Sequence, residues 1–242
     1  MARNLLLLST TTIHGSAFME YCLDVIADHF NHTDKVLFIP YARPSGISHD
    51  EYTDMVSEKM ALIGKEVKGI HEFPNPKDAI EQYEAVYIGG GNTFLLLKEL
   101  YEHDLVPAIR KKVLSRGMRY MGSSAGTNVA CKAINNTNDM PIVYPPSFDA
   151  LELVPFNINP HYLDPDPNSK HKGETRETRI NEFHFQSDIP VVGLREGSWL
   201  KIEGDDIKLG GDFTARIFQK GKEVMELASD ADFSFLLSRP LN

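Results

Sequence analysis

Residues 122–126 read Gly-Ser-Ser-Ala-Gly, and the central serine has a glycine two positions before it and another two positions after it. The pattern G-x-S-x-G is typical of a nucleophile on a sharp turn between a strand and a helix, where β-carbons have no room. The apolar run Met118–Met121 predicts the strand, and Thr127–Ala133 predicts the start of the helix. The alternative is a patch of small residues that packs a helix against a sheet. We favour Ser124 as a nucleophile.

A serine hydroxyl is a weak nucleophile at its ordinary pKa, so it needs a general base. Of the nine histidines, His161 is the favoured candidate because Pro160 fixes the backbone before it. The alternative is a solvated loop histidine, and His171 in a charged run is the rival. The base needs an orienting carboxylate. Asp139 and Glu196 both qualify, and spacing does not choose between them; the other one is free to hold a substrate amine.

The segment Gly-Gly-Gly-Asn-Thr at 89–93 follows a predicted strand. Its backbone amides could cradle a phosphate at a helix N-terminus, but the G-K-[ST] ending of a P-loop is absent. The second functional interpretation is an oxyanion hole, with amides from Gly90 and Gly91 and from Ala125, the residue after the nucleophile. The plain alternative is a structural turn.

Short apolar runs alternate with amphipathic segments along the first 200 residues. Alternation of this kind predicts an α/β fold with a mostly parallel sheet that helices cover on both faces. Ligands bind beyond the carboxyl ends of the strands in such sheets, and the segments discussed above fall at those ends. The predicted strands are Leu5–Leu8, Val36–Pro40, Glu66–His71, Ala85–Ile88, Met118–Met121 and Val191–Leu194, and the predicted helices are Ser16–Phe30, His49–Ile63, Phe94–His103 and Val106–Ser115.

The C-terminal part changes character. The segments 199–211 and 215–227 each contain two alternating runs around a glycine-containing turn, which predicts antiparallel hairpins added to the sheet edge. Length and pattern together predict one α/β domain over residues 1–242. A chain of this size buries roughly 70–75% of its unfolded surface, so it needs no disulfide or metal to fold.

The formal net charge of −9 disfavours a nucleic-acid partner, and it means that an acidic substrate would need a local cationic pocket. Two cysteines without metal spacing predict buried free thiols in a reducing compartment. Leu5–Leu8 is shorter than the ~7–15 residues of a signal-peptide core. No segment approaches the ~18 apolar residues of a membrane span. These features predict a cytoplasmic protein that does not enter membranes.

Metal binding is not expected from the sequence. The H-E-x-x-H motif is absent. His161, Asp164, Asp166 and His171 could be drawn as a cluster, but the prolines between them favour a solvated, extended loop.

Seven motifs occur in the order in which they occur in peptidase E, the family of α-aspartyl dipeptidases, and the resemblance runs from about Leu5 to about Gly211. One departure is that many bacterial members carry tryptophan before the nucleophile, whereas this chain carries Ser123, which would widen or polarise the pocket. The motifs are LLLLS, IGGGNTF, GSSAGTN, TNDMPIV, INPHY, HKGETRETRI and GLREGSW.

The resemblance implies a serine peptidase of three-layer α/β/α, amidotransferase-like fold that hydrolyses dipeptides with an N-terminal aspartate and uses no metal or cofactor. It implies Ser124 as nucleophile and His161 as base, with the third member at Asp139 or Glu196. Separately, an acidic surface with hairpins at a sheet edge would permit a homodimer. The alternatives are a serine exopeptidase acting on aspartyl polymers and a non-catalytic small-molecule-binding module of the same fold.

An aspartyl side chain calls for a cationic anchor, ideally an arginine that binds the carboxylate through two hydrogen bonds. Arg176 and Arg179 share one helical face by their spacing. Arg179 precedes the apolar Ile180, so we expect it to point more inward. The alternative is a solvated helix whose arginines pair with nearby glutamates. Asn92 is a further candidate for substrate binding.

Overall fold

The structure is a computed structural model that describes residues 3–166, 168, 170 and 173–238. Helices and strands alternate over the first 130 residues, and strands dominate after residue 190. The strands are β1 Asn4–Leu8, β2 Lys35–Ile39, β3 Glu66–Gly69, β4 Ala85–Ile88, β5 Arg119–Ser123, β6 Asn157–Pro160, β7 Val191–Leu194, β8 Trp199–Glu203, β9 Asp206–Gly210, β10 Ala215–Phe218 and β11 Met225–Leu227. The helices are α1 Leu23–His29, α2 His49–Ala61, α3 Pro76–Gln82, α4 Thr93–Glu102, α5 Leu105–Arg116, α6 Ala125–Ala130 and α7 Arg176–Gln186.

The larger sheet has seven strands in the order β3-β2-β4-β5-β1-β8-β9. Its first five strands are parallel, and the β8–β9 hairpin extends it in antiparallel fashion beside β1. Both faces are covered, because Leu5 and Leu7 pack with residues of α3–α6 while Leu6 and Leu8 pack with α1 and α2. The predicted α/β class, the mostly parallel sheet and the C-terminal antiparallel strands are confirmed.

The smaller sheet was not predicted. It has four strands in the order β11-β10-β7-β6, with β6 parallel to β7. Strand β7 and the β10–β11 hairpin therefore do not extend the larger sheet. Strand β6 was missed because its polar asparagines interrupt the apolar pattern by which buried strands are recognised.

The helix predicted over Ser16–Phe30 is shorter in the structure. Residues before Glu20 form an irregular loop, in which Met19 has a positive φ of 62° and donates its backbone N–H to Thr11 O. A short 3₁₀ turn leads into α1 at Leu23. Because the loop replaces a helix, residues 10–19 are placed beyond the end of β1, where they form a wall of the cleft described below.

A capping box begins α2, with Glu51 N–H donating to Ser48 Oγ at 3.1 Å and Ser48 N–H donating to Glu51 Oε2 at 2.7 Å. Within the described ranges, no helix is both long and apolar enough to cross a membrane.

Candidate active site

Ser124 lies between β5 and α6, at the carboxyl edge of the parallel strands. Its backbone has φ 51° and ψ −109°, a conformation that is rare for a residue with a side chain. The turn is tight because a β-carbon on Gly122 would lie 2.5 Å from Gly126 O, and one on Gly126 would overlap Ile88 O. The two glycines are therefore required by close backbone approach, as the sequence pattern predicts.

His161 and Glu196 follow two neighbouring strands of the smaller sheet. Strands β6 and β7 are parallel and pair Pro160 with Leu194, so the residues just beyond both strands meet at one edge. His161 Nδ1 lies 2.6 Å from Glu196 Oε1, and His161 Nε2 lies 2.9 Å from Ser124 Oγ. A continuous hydrogen-bond chain thus joins the carboxylate, the imidazole and the serine hydroxyl across the two sheets.

Ser9, which sequence reasoning missed, holds this arrangement together. It follows β1, is fully buried, and its hydroxyl donates to Leu194 O at 2.8 Å while accepting the backbone N–H of His161 at 2.8 Å. His161 has a positive φ of 54°, which costs energy for a residue with a side chain, so its conformation needs such external support. The available signal was a hydroxyl directly after the first predicted strand.

Asp139 makes no hydrogen bond or ion pair with His161, whose ring nitrogens face Glu196 and Ser124. Its Oδ2 accepts the backbone N–H of Thr93 at 2.7 Å and the Thr93 hydroxyl at 2.5 Å, at the N-terminus of α4. Asp139 nevertheless lines the same cleft as Ser124. Of the two carboxylates that the sequence left open, the geometry therefore brings Glu196 to the imidazole and leaves Asp139 facing the cleft.

The cleft over Ser124 has a volume of about 350 Å³ and is mostly polar in composition. Its walls come from the loop after β1, the loop after β2, the glycine segment after β4 and the turn at Ser124. The lining residues are Thr10, Thr11, Thr12, Phe18, Arg43, Tyr52, Gly90, Gly91, Ser123, Ser124, Asp139 and His161.

The glycine segment presents fewer free amides than the sequence predicts. Gly90 N–H donates to Tyr52 Oη at 3.1 Å, so the expectation that this amide serves an oxyanion hole is not supported. The amides of Gly91 and Ala125 have no hydrogen-bond acceptor among the described residues. A side chain at Gly91 is excluded because its φ is 148° and a β-carbon would overlap Ala42 O.

Asn92 is an N-cap and not a residue of the cleft wall. Its Oδ1 accepts Leu95 N–H at 3.0 Å, and its Nδ2 donates to Met140 O at 2.8 Å. Both polar groups of the side chain are thus used within the protein, as is common for asparagine before a helix. The structure does not support the expected contact between Asn92 and substrate.

The two candidate arginines differ in environment. Arg179 is half exposed, with its Nε 3.5 Å from a carboxylate oxygen of Glu174, so the expectation that it points more inward is wrong. Arg176, at the start of α7, is partly buried and has no ion-pair partner among the described residues. Burial and the neighbouring Arg179 lower the pKa of Arg176, and the negative charge of Asp139 opposes that change. His171, the rival base, lies outside the described residues.

Arg43 and Tyr52 are cleft residues that sequence reasoning missed. The Arg43 guanidinium carbon lies 4.8 Å from the centre of the Tyr52 ring, a cation–π geometry. Burial raises the pKa of Tyr52, and the charge of Arg43 opposes that rise. Ser123, beneath them, is buried and its Oγ lies 3.0 Å from Tyr87 Oη. The available signal for Arg43 was its position just after the second predicted strand.

Among the described residues, no group of three or more histidine, cysteine, aspartate or glutamate side chains is arranged to hold a metal ion. Asp164, one member of the cluster considered from the sequence, instead makes two hydrogen bonds of 2.8 Å with the Arg195 guanidinium.

Residues 5–210 match peptidase family S51. The chain belongs to peptidase family S51. A relative from Streptomyces coelicolor, named "Peptidase E", is 50% identical over 234 residues, covering 97% of this chain and 95% of its own length. A relative from Drosophila melanogaster, named "Probable alpha-aspartyl dipeptidase", is 48% identical over 240 residues, covering 98% and 99% of the two chains.

The fold of this S51 chain is also seen in a crystal structure of a peptidase from an acI-B1 Actinobacterium. The TM-score is 0.70 at 20% identity, and the alignment covers 97% of this chain and 98% of the other. At this identity the likeness supports the fold and carries no argument about activity.

Proposed function

We propose that this S51 chain is a serine dipeptidase that hydrolyses dipeptides with an N-terminal aspartate through an acyl-enzyme on Ser124. The observation that carries the proposal is the hydrogen-bond chain from Glu196 through His161 to Ser124, in a turn of the strained nucleophile type. The names of the relatives, peptidase E and alpha-aspartyl dipeptidase, support the choice of substrate.

The reaction has two halves with His161 moving the proton in each. Ser124 Oγ attacks the aspartyl carbonyl carbon while its proton passes to His161 Nε2, and Glu196 stabilises the resulting imidazolium. The C–N bond then breaks as His161 donates that proton to the leaving amine. Water then attacks the ester carbonyl carbon and gives a proton to His161, which passes it to Ser124 Oγ as the C–O bond breaks and aspartate leaves.

The negative charge that develops on the carbonyl oxygen requires donors that are already oriented. In our proposal the amides of Gly91 and Ala125 provide them. Ala125 is the first residue of α6, where N–H groups have no acceptor within the helix. Tyr52 contributes indirectly, because its hydroxyl binds both backbone polar groups of Gly90. It accepts the Gly90 N–H and lies 3.3 Å from Gly90 O.

Recognition of the N-terminal aspartate is assigned to a carboxylate and a guanidinium. Asp139 keeps Oδ1 free of hydrogen bonds to described residues, so it can accept the α-ammonium group of the substrate. Arg176 can bind the side-chain carboxylate, because it has no ion-pair partner among the described residues and lies within the electrostatic influence of Asp139. Charge-assisted pairs of this kind are the strong ones, and they add geometric specificity.

Two further parts of the proposal concern the cellular location and the oligomeric state. A cytoplasmic location is supported by the free, buried thiols of Cys22 and Cys131. A homodimer is supported by three large apolar side chains that are exposed on the loop after Asp139, namely Met140, Ile142 and Tyr144 at 74%, 51% and 87%. Sedimentation of the purified protein tests the dimer directly.

The proposal is tested by the release of free aspartate from Asp-Leu, with Leu-Leu and N-acetyl-Asp-Leu as control substrates. We expect cleavage of Asp-Leu alone, and its loss in Ser124→Ala with an unchanged melting temperature. Near-normal turnover by that variant would remove Ser124 as the nucleophile. Arg176→Ala should cost about 2–4 kcal/mol in kcat/KM, and Arg179→Ala should cost much less. Greater activity on longer aspartyl chains would favour the exopeptidase alternative.

A further inference from the structure

Two arginines of this acidic protein have no acidic partner among the described residues: Arg43, in the wall of the cleft, and Arg176, at the start of α7. Most described arginines lie within ion-pair distance of a carboxylate, for example Arg116 with Glu81 and Arg195 with Asp164. Arg43 and Arg176 have no such partner within the described ranges, while Arg119, which also has none, donates to a backbone carbonyl. With a net charge of −9, an unpaired guanidinium in the wall of the cleft indicates that an anionic ligand completes it.

The side chain of Arg43 lies in the wall of the cleft itself. It lines the same cavity as Ser124 and His161, and its guanidinium rests on the Tyr52 ring, which is buried. Tyr52 is anchored by hydrogen bonds to both backbone groups of Gly90. The contact with a fixed ring and a side-chain hydrogen bond with Tyr52 orient the guanidinium, whose five N–H donors exceed what that one bond uses, so others can bind a carboxylate.

A dipeptide with N-terminal aspartate carries two carboxylates, one on the aspartyl side chain and one at the C-terminus. The α-amine and the side-chain carboxylate belong to the same residue, so the groups that bind them must be neighbours. The proposed function assigns these two groups to Asp139, which lines the cleft, and to Arg176. Arg43 stands on a different loop, the one after β2, and is left for the second carboxylate.

We propose that Arg43 binds the C-terminal carboxylate of the leaving residue and thereby favours dipeptides over longer or blocked chains. This inference rests on the proposed function and deepens it. It assigns one guanidinium to each substrate carboxylate. Because the cavity is only about 350 Å³, an amide or a further residue at the C-terminus would face Arg43 without the charge that completes it.

The test measures the cleavage of three substrates by each of four proteins. The substrates are Asp-Leu, its C-terminal amide Asp-Leu-NH₂, and Asn-Leu; the proteins are wild type, Arg43→Gln, Arg176→Gln and the control Arg116→Gln on α5. We expect wild type to prefer Asp-Leu to the amide roughly 10- to 100-fold. Arg43→Gln should lose activity on Asp-Leu by about that factor and keep its activity on the amide, so the preference falls close to one. Arg176→Gln should lose activity on both aspartyl substrates alike.

Other results would overturn the inference. Equal losses on Asp-Leu and the amide in Arg43→Gln would assign Arg43 to the aspartyl side chain or to structure. An unchanged preference in Arg43→Gln would show that Arg43 does not recognise the C-terminal carboxylate. Cleavage of Asp-Leu by wild type would in that case still support the proposed function. Failure of wild type to cleave any of the three substrates would instead contradict the proposed function and the inference with it. Calorimetric binding of Asp-Leu and its amide to Ser124→Ala, with and without Arg43→Gln, gives the same ratio independently of turnover.

Discussion

The hydroxyl of Ser9 accepts the backbone N–H of His161 at 2.8 Å, although the two residues are 152 positions apart. The same hydroxyl donates to Leu194 O, so one buried atom joins the end of β1 in the larger sheet to the ends of β6 and β7 in the smaller sheet. The position of the imidazole relative to Ser124 is therefore set by a residue that does not contact the proposed reacting atoms.

Ser9→Ala tests this positioning role. Removal of the hydroxyl leaves a buried N–H and a buried carbonyl without a partner, at a cost of about 1–3 kcal/mol in the free energy of unfolding. We expect kcat on Asp-Leu to fall at least roughly tenfold with little change in KM, because the proton transfer depends on imidazole geometry. The matched control is Ser147→Ala, a serine of an exposed turn. A loss of stability without a change in kcat would contradict the role.

Substitutions of Glu196 and Asp139 should affect different kinetic constants, kcat for Glu196 and KM for Asp139. Glu196→Gln removes the charge that stabilises the imidazolium, so we expect kcat to fall by about 10²–10⁴. Asp139→Asn keeps an acceptor for Thr93 but weakens binding of the α-ammonium group, so we expect mainly a higher KM. Steady-state measurements on Asp-Leu decide the matter. If Asp139→Asn loses kcat while Glu196→Gln retains it, the assignments are reversed.

Gly126→Ala should destabilise the fold through steric overlap alone. The new methyl group would collide with Ile88 O on β4, and the helical backbone at Gly126 is otherwise ordinary. We expect a loss of about 3 kcal/mol or more in urea unfolding. Gly204→Ala is the control, because that glycine has a φ of +61° with no atom within 4 Å, and it should cost only about 1 kcal/mol. Equal losses in the two variants would argue against the close contact.

His29 should make stability depend on pH. Burial, reinforced by the charges of Arg119 and Lys201, lowers the pKa of His29 to about 3, from 6.5 in the unfolded chain. Between these values the unfolded chain binds a proton that the native protein does not, so stability falls as pH is lowered from 6.5 towards 3. The slope from this residue is at most about 1.4 kcal/mol per pH unit.

His29→Gln should flatten that part of the stability profile. The neutral amide can still donate to Tyr120 O, which the imidazole nitrogen approaches at 3.1 Å. Urea unfolding of both proteins between pH 7 and pH 4 provides the measurement. The result that would contradict this expectation is a variant whose free energy of unfolding falls more steeply with decreasing pH than that of wild type. That result would show that His29 does not resist protonation in the native state.

The centre of the larger sheet was predictable from the sequence because its strands are continuous apolar runs such as Ala85–Ile88, which are buried on both faces. The turn at Ser124 was predictable because overlap of backbone atoms admits only glycine at two positions. The pairing of His161 with Glu196 was not, because it depends on the parallel register of β6 and β7 across a long connection that contains α7. No local pattern encodes a contact at that separation.

The role of Asn92 could have been recognised, since asparagine directly before a helix is a common cap. Arg43 could not be ranked above other arginines, because its significance lies in the absence of an acidic partner. That absence is visible only after the neighbouring chain segments have been placed. Arg179 was preferred to Arg176 because it precedes the apolar Ile180, but consecutive residues of a helix point in different directions, so the burial of Ile180 leaves Arg179 half exposed.

The division of the site between two sheets has a consequence for the newly made protein. The parallel strands up to Ser123 are complete once the first half of the chain has been synthesised, and domains tend to fold from the N-terminal side during synthesis. The sheet that carries His161 and Glu196 needs β10 as a neighbour of β7, and β10 ends at Phe218. In the proposed mechanism, a nascent chain would therefore display Ser124 before His161 and Glu196 are in place to activate it, and hydrolysis would begin only after β10 has been made.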